Sequence, residues 1–137
     1  MIKVIYGPKG TGKTKALVDT ANKLAHGAYG TVVFIDRSKQ LLYSLKHEIR
    51  FVDVSDFPTL GADGFFGFIC GILTQNYDIE GIFIDGLNKI TGLELGELEP
   101  LFKKLEKLSK DRENVIFYLT INGVTEEVPS FLSKYSE

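Results

Sequence analysis

The chain has 137 residues, 44% of them apolar and 25% charged, which is typical of an ordinary globular protein. Its 16 basic and 18 acidic residues give a net charge of −2, which argues against a surface built as a whole to bind nucleic acid or anionic lipid. One cysteine, Cys70, and two histidines exclude an internal disulfide framework and a cysteine-rich zinc site. With no secretory signal pattern and no apolar run longer than 65–73, we expect one cytoplasmic domain over residues 1–137.

Short apolar runs alternate with segments whose apolar residues recur at helical spacing. Several of the runs are continuous and β-branched, which is typical of strands that are buried on both faces of a sheet. In chain order, the predicted elements are a strand at 2–6, a helix at 13–26, a strand at 31–35, a short helical segment at 40–47, a strand at 51–54, a helix at 61–77, a strand at 81–85, a helix at 94–110, a strand at 115–121 and a short helix at 130–135.

This alternation predicts an α/β fold, a three-layer sandwich in which helices cover both faces of a five-stranded, mostly parallel sheet. In sheets of this kind, ligands bind at the carboxyl edge, the edge at which the parallel strands end. The residues that follow the predicted strands are therefore the ones to examine for function. They are 7–14, 36–38, 55–56, 85–89 and 120–122.

The first predicted strand runs directly into a match to the phosphate-loop pattern, a glycine, any four residues and then Gly-Lys-Ser/Thr. Glycines let the backbone turn so that successive N–H groups point at phosphate oxygens, beside the positive end of the next helix. We expect Lys13 to reach the β and γ phosphates and Thr14 to place its hydroxyl on Mg²⁺. The predicted nucleotide-binding residues are Gly7, Pro8, Lys9, Gly10, Thr11, Gly12, Lys13 and Thr14.

A phosphate loop also needs a carboxylate for its metal ion, and the apolar run 82–84 ends at Asp85. We expect Asp85 to hold Mg²⁺, either directly or through one of the ion's water ligands, and to take part in catalysis. The alternative is that Asp85 only caps the turn after its strand, a position where aspartate is common.

The loop at 7–14 and the strand before Asp85 resemble Walker A and Walker B of the P-loop NTPase superfamily, with a loop closer to AAA+ and RecA-like ATPases than to GTPases. RecA-like members place a later strand between these two in space, ending in a polar sensor residue, and the run 114–122 is similar to it. The resemblance covers nearly the whole chain as a minimal core and implies ATP or ADP with Mg²⁺. More faintly, the chain resembles a small bacterial group of ATP-binding proteins labelled as related to twitching-motility ATPases.

The chain departs from this pattern at Gly86, where an acidic residue often follows the Walker B aspartate, and it shows no recognisable lid or partner module. The catalytic base is then expected at another strand end. Several RecA-like ATPases carry a catalytic acid at the position that Asp36 occupies, although Asp36 could instead pair with Arg37 or a neighbouring lysine. Thr120 and Asn122 are weaker candidates for sensing the γ phosphate.

These residues favour a slow ATPase or ATP-dependent switch of the RecA-like class, with catalytic roles for Lys13, Asp36 and Asp85. One alternative is a small-molecule phosphotransferase, similar to nucleoside kinases, in which Asp36 activates a substrate hydroxyl. Another is a nucleotide-sensing interaction module with little turnover, suggested by Gly86 and by the apolar stretch 65–73, which would contact a second copy or a protein partner. A nucleic-acid partner is not expected.

Slow turnover is expected because the chain has only three arginines. Arg50 and Arg112 precede their strands and so belong to the amino edge, away from the nucleotide. Arg37 is at the correct edge, but neighbouring residues that leave a strand tend to point in different directions, so Asp36 and Arg37 do not easily face the γ phosphate together. Lys39 and Lys89 could substitute, but only as point charges without the guanidinium fork.

Overall fold

In the computed structural model, which describes residues 1–136, five β-strands alternate with helices. The strands are β1 (Ile2–Gly7), β2 (Thr31–Asp36), β3 (Arg50–Asp53), β4 (Ile79–Ile84) and β5 (Ile116–Asn122). The α-helices are α1 (Lys13–Gly27), α2 (Gly61–Gln75), α3 (Leu87–Thr91) and α4 (Glu99–Asp111). Short 3-10 helices lie at Leu42–Ser44, Leu95–Glu97, Thr125–Glu127 and Ser130–Tyr135.

The strands form one sheet in the order β1-β5-β4-β2-β3, and all four strand pairs are parallel. The predicted α/β fold with a five-stranded parallel sheet is therefore confirmed. The last strand in sequence, β5, lies between β1 and β4, as the resemblance to RecA-like proteins implied for the run 114–122. This arrangement brings the ends of β1, β5 and β4 side by side at the carboxyl edge.

Helices cover both faces of the sheet because successive strand side chains point to opposite sides. On one face, α1 packs on Val32, Phe34 and Phe83. Four rings from neighbouring strands stack along this face, Phe51, Phe34, Phe83 and Tyr118, with centroids 6.2, 6.3 and 5.7 Å apart. On the other face, α2, α3 and α4 pack on the alternate strand residues in a larger cluster.

Three helical segments differ from the prediction. The segment expected over 40–47 is only a 3-10 turn, Leu42–Ser44. The expected helix over 94–110 is a 3-10 turn, Leu95–Glu97, followed by α4, because Pro100 lies in the first turn of α4 and its missing N–H suits a helix start better than a helix interior. Helix α3 was not predicted. It has five residues, lies between the positive-φ glycines Gly86 and Gly92, and is too short to show a helical period.

The apolar stretch 65–73 forms part of α2 and packs into the protein. Phe65, Ile69 and Leu73 are buried in the core, and the other large apolar side chains of the stretch are partly buried against the same cluster. Cys70, in the same helix, is half-buried. Contact between this stretch and a partner stays a prediction. No helix in residues 1–136 has the length and apolar character needed to cross a membrane.

Candidate functional site

The loop after β1 turns by means of two glycines in the left-handed conformation, Gly10 with φ 83° and Gly12 with φ 84°. A Cβ atom at either position would meet no atom within 4 Å, so the backbone conformation, and not lack of space, is what requires glycine here. Gly12 caps α1, and within residues 1–136 no side chain caps the first turn of that helix. The N–H groups at the start of α1 are thus left available to an anion.

Lys13 folds back across this loop. Its Nζ donates to the Pro8 carbonyl oxygen at 2.7 Å, and its residue is 8% exposed. Burial lowers the pKa of Lys13 below its ordinary value, the nearby Asp85 carboxylate acts in the opposite direction, and Lys89 lowers it further. The ammonium group therefore lies inside the loop, held by a carbonyl that a phosphate oxygen can replace.

Three side chains from different elements meet beside the loop. The Thr14 hydroxyl, in the first turn of α1, donates to the Asp85 carboxylate and is 3.1 Å from each of its oxygens. The Thr120 hydroxyl, near the end of β5, donates to Asp85 Oδ1 at 2.8 Å and accepts from the Gly86 N–H at 2.8 Å. This contact explains why Thr120 is a buried polar residue, at 2% exposure.

A cavity of about 200 Å³, which we call the loop cavity, opens in front of these groups. A second cavity of about 220 Å³ adjoins it and shares Thr14, Asp85 and Lys89 as walls. A larger cavity of about 450 Å³ lies at the start of β1, against α4 and the 130–135 turn. Three of the charged groups that line that larger cavity pair with one another, with Glu106 3.2 Å from Lys134 and 3.8 Å from Lys110.

Asp36 lines the second cavity at the end of β2. It is half-buried, and this burial raises the pKa of its carboxyl to about 6, with the negative charges of Asp85 and Asp53 adding to the effect. Its Oδ1 accepts a 2.7 Å hydrogen bond from the Arg37 N–H, and this bond and the positive charge of Lys89 act in the opposite direction. The structure thus brings Asp36 to the same edge as the phosphate loop and Asp85.

Asp36 and Arg37 interact through the backbone of Arg37 and not through the ion pair considered as an alternative. Asp36 bonds to the backbone of Arg37, and within residues 1–136 it forms no ion pair with Arg37 or Lys39. In that same part of the chain, Nη1 of Arg37 is buried and has no hydrogen-bond partner. Asn122 also lines the loop cavity, and its backbone N–H and carbonyl bond to the Asn88 side chain at 3.1 and 2.8 Å.

Sequence reasoning missed Asn88 as a site residue and named Lys89 only as a substitute cation. Both belong to α3, the helix that periodicity does not reveal. The available signal was position alone, because 85–89 directly follows a buried strand and such segments lie at the ligand-binding edge.

No protein-family model and no curated protein matches this sequence. Among solved structures, the fold is similar to that of a KaiC-like protein from the hyperthermophilic archaeon Pyrococcus horikoshii. The TM-score is 0.63 and the sequence identity 21%, over 98% of this chain and 68% of that chain. At this identity the likeness concerns the fold alone. Together with the position of β5 between β1 and β4, it shows that the chain has a RecA-like P-loop fold.

Proposed function

We propose that this protein binds Mg-ATP at the carboxyl edge of its sheet and hydrolyses it slowly, as an ATPase or an ATP-dependent switch. Residues 1–137 would form a single nucleotide-binding domain. The observation that carries the proposal is the contact between the Thr14 hydroxyl and the Asp85 carboxylate beside the loop cavity. It joins the end of the phosphate loop to the end of β4, where a nucleotide-bound metal ion would be held.

The donor set fits Mg²⁺, because a hydroxyl and a carboxylate are hard oxygen ligands and both line an open cavity with room for water ligands. Thr14 and Asp85 would hold the ion. When bound, Mg²⁺ supplies charge neutralisation at the phosphate oxygens. The N–H groups of the loop, Gly7 to Thr14, and the Lys13 ammonium would bind the phosphates, with Lys13 exchanging the Pro8 carbonyl for a phosphate oxygen.

Asp36 would orient the attacking water and accept its proton. A general base is most effective when its pKa lies near the working pH, and burial has already moved the pKa of Asp36 to about 6. Turnover is expected to stay below the ~10 s⁻¹ typical of enzymes. The position after Asp85 is Gly86, which carries no acid, and Nη1 of Arg37 is buried without a hydrogen-bond partner within residues 1–136.

The second cavity favours one other function, transfer of the γ phosphate to a small molecule. Its volume of about 220 Å³ exceeds the ~30 Å³ share of one water and falls below the ~300 Å³ at which drug-sized pockets begin. A small hydroxyl compound would fit there better than a nucleoside. Asp36, Ser38 and Gln40 line the cavity, and Asp36 would accept the proton of the acceptor hydroxyl.

Thermal unfolding with and without Mg-nucleotide tests the proposal. A ligand that binds only the folded state adds about 2.7 kcal/mol at a hundredfold excess over its dissociation constant, so we expect a clear rise in Tm. Lys13→Ala should lose most of this rise. The matched control is Lys23→Ala, an exposed lysine farther along α1, which should keep it. A folded, nucleotide-free wild type whose Tm does not change with millimolar Mg-ADP or Mg-ATP would contradict the proposal.

Product analysis then separates the functions. Phosphate release without any added acceptor indicates an ATPase, whereas ADP formation that requires an added hydroxyl compound indicates a phosphotransferase. Tight binding of Mg-ATP with neither product would instead favour the nucleotide-sensing module.

A further inference from the structure

Lys89 stands between the two cavities of the site. Its side chain lines both the loop cavity and the second cavity, together with Thr14 and Asp85. The residue is exposed, and among residues 1–136 no hydrogen bond or ion pair engages its ammonium group. Lys89 therefore carries a free positive charge at the boundary between the phosphate loop and Asp36.

The fold holds the backbone of Lys89 at this boundary. Its N–H donates to the Gly86 carbonyl at 3.0 Å, and the neighbouring Asn88 is fixed to Asn122 of β5 by two hydrogen bonds. The side chain then runs back over Gly86, with its β, γ and δ carbons 3.7 to 3.9 Å from where a Cβ of Gly86 would lie. The aliphatic part of the Lys89 side chain thus covers the space beside Gly86.

The charge of Lys89 acts on both sides of the boundary. It lowers the pKa of Lys13 inside the phosphate loop, and it lowers the pKa of Asp36 in the second cavity against the larger effect of burial. Two neighbouring ammonium groups repel each other while no anion lies between them. A phosphate group between Lys13 and Lys89 removes this repulsion and replaces it with attraction.

We propose that Lys89 binds the terminal phosphate of ATP from within the same chain and thereby makes the site prefer a nucleoside triphosphate to a diphosphate. This inference rests on the proposed function, in which the loop binds the nucleotide phosphates. Of the phosphates of a nucleotide bound in the loop, the γ phosphate would reach the wall of Thr14, Asp85 and Lys89 that the loop cavity shares with the second cavity, whereas a diphosphate would end within the loop. A lysine in this position supplies a mobile point charge, which binds phosphate without the fixed fork of an arginine.

The test compares the binding of Mg-ADP with that of Mg²⁺ and a non-hydrolysable ATP analogue, by calorimetry, in the wild type and in Lys89→Met. Methionine keeps an unbranched stem over Gly86 and removes the charge. We expect the affinity for the analogue to fall about tenfold or more, as for loss of a hydrogen bond between charged groups, and the affinity for Mg-ADP to change less than about threefold. Lys89→Arg should keep the preference for the analogue.

The matched control is Lys39→Met, which removes the same charge from the same edge. The sequence alone made Lys39 an alternative cation for the γ phosphate, but the structure places it exposed, near Asp53 and outside both cavities, so both affinities should stay within about twofold. Equal losses for both nucleotides in Lys89→Met, or no loss for either, would overturn the inference and leave the proposed function standing. A wild type that binds neither nucleotide would overturn the proposed function and this inference with it.

Discussion

The segments that follow β1 and β4 have the same outline and offer different chemistry. Each leaves a buried parallel strand, turns at a left-handed glycine, Gly12 or Gly86, and enters a helix that carries a lysine. After β1, that lysine is buried and bonded to a backbone carbonyl, and the groups proposed to bind the ligand are backbone N–H groups. After β4, the groups proposed to bind the ligand are side chains, the Asp85 carboxylate and the exposed ammonium of Lys89.

The difference shows how much of a site is local in the sequence. A site made of backbone N–H groups needs glycines at fixed spacing and a helix directly after them, so the sequence displays it as a motif. A site made of side chains takes its partners from neighbouring strands. Asp85 meets Thr14 of α1 and Thr120 of β5, and only the strand order brings those residues together.

Removing the Asp36 carboxylate, which lines the second cavity together with residues of both segments, should have the largest effect on ATP hydrolysis. Asp36→Asn keeps the shape of the side chain and abolishes its action as a base, so we expect ATP hydrolysis to fall at least ~100-fold. Nucleotide affinity should change little, because Asp36 lies in the second cavity and not in the loop cavity. Single-turnover hydrolysis and calorimetry measure the two quantities. Unchanged hydrolysis in Asp36→Asn would contradict the assignment of the base.

The pH dependence of the wild type tests the same carboxyl. Asp36 acts as a base only when ionised, and its pKa in the free protein is raised to about 6 by burial, with Asp85 and Asp53 adding to the effect and the Arg37 N–H and Lys89 opposing it. We expect kcat/KM to rise with pH through about 6 and then level off, since kcat/KM reports the free enzyme. A profile already flat between pH 5 and 7 would contradict this role.

The proposed metal site allows the contributions of the two segments to nucleotide binding to be measured separately. Asp85→Asn should weaken Mg-dependent nucleotide binding at least ~10-fold, or about 1.4 kcal/mol, and leave ADP binding without metal largely intact. The reason is that the phosphate loop would hold ADP on its own N–H groups. Calorimetry with Mg²⁺ and with a chelator makes the comparison. Equal weakening in both conditions would favour the alternative in which Asp85 only caps its strand.

Thr120 links the β4 segment to the strand beside it. Thr120→Val keeps the shape and leaves the Gly86 N–H and one Asp85 oxygen without the hydroxyl, so unfolding free energy should fall by about 1–3 kcal/mol. Thr74→Val is the control, because Thr74 is exposed and bonds only to a carbonyl of its own helix. Urea unfolding should show little change in the control. A similar value for both variants would remove Thr120 as a support of the site.

Replacing Gly12 or Gly86 by alanine should lower the unfolding free energy by similar amounts, even though the two segments differ in chemistry. An alanine at Gly12 or Gly86 must adopt a positive φ, which costs roughly 1–2 kcal/mol at either position. Neither added Cβ meets an atom closer than 3.7 Å, so steric conflict adds nothing. Gly27→Ala, at the end of α1 with open space around it, is the control and should not destabilise the protein. Unequal losses at Gly12 and Gly86 would mean that one segment carries additional strain.

The fold was predictable where burial on both faces leaves continuous apolar runs, as at 31–35 and 82–84. The turn between β1 and α1 was predictable because its residues are consecutive, and its binding of phosphate stays a prediction. The five-residue helix α3 could not be predicted, since it has less than two turns and is defined by glycines at its ends. The raised pKa of Asp36 was also out of reach, because it depends on burial of the end of β2 and on Asp85 and Asp53 at the ends of the strands on either side.

The place of β1 in the sheet bears on the order in which the site forms during protein synthesis. The neighbour of β1 is β5, and Ile2 pairs with Phe117. Among these five strands, β1 therefore leaves the ribosome before the others, and it cannot pair within the sheet until β5 has emerged. A nascent chain that stops before Ile116 would contain the whole phosphate-loop sequence without the strand that braces it. We therefore expect such a chain to have no nucleotide affinity, and binding to begin only near the end of translation of these residues.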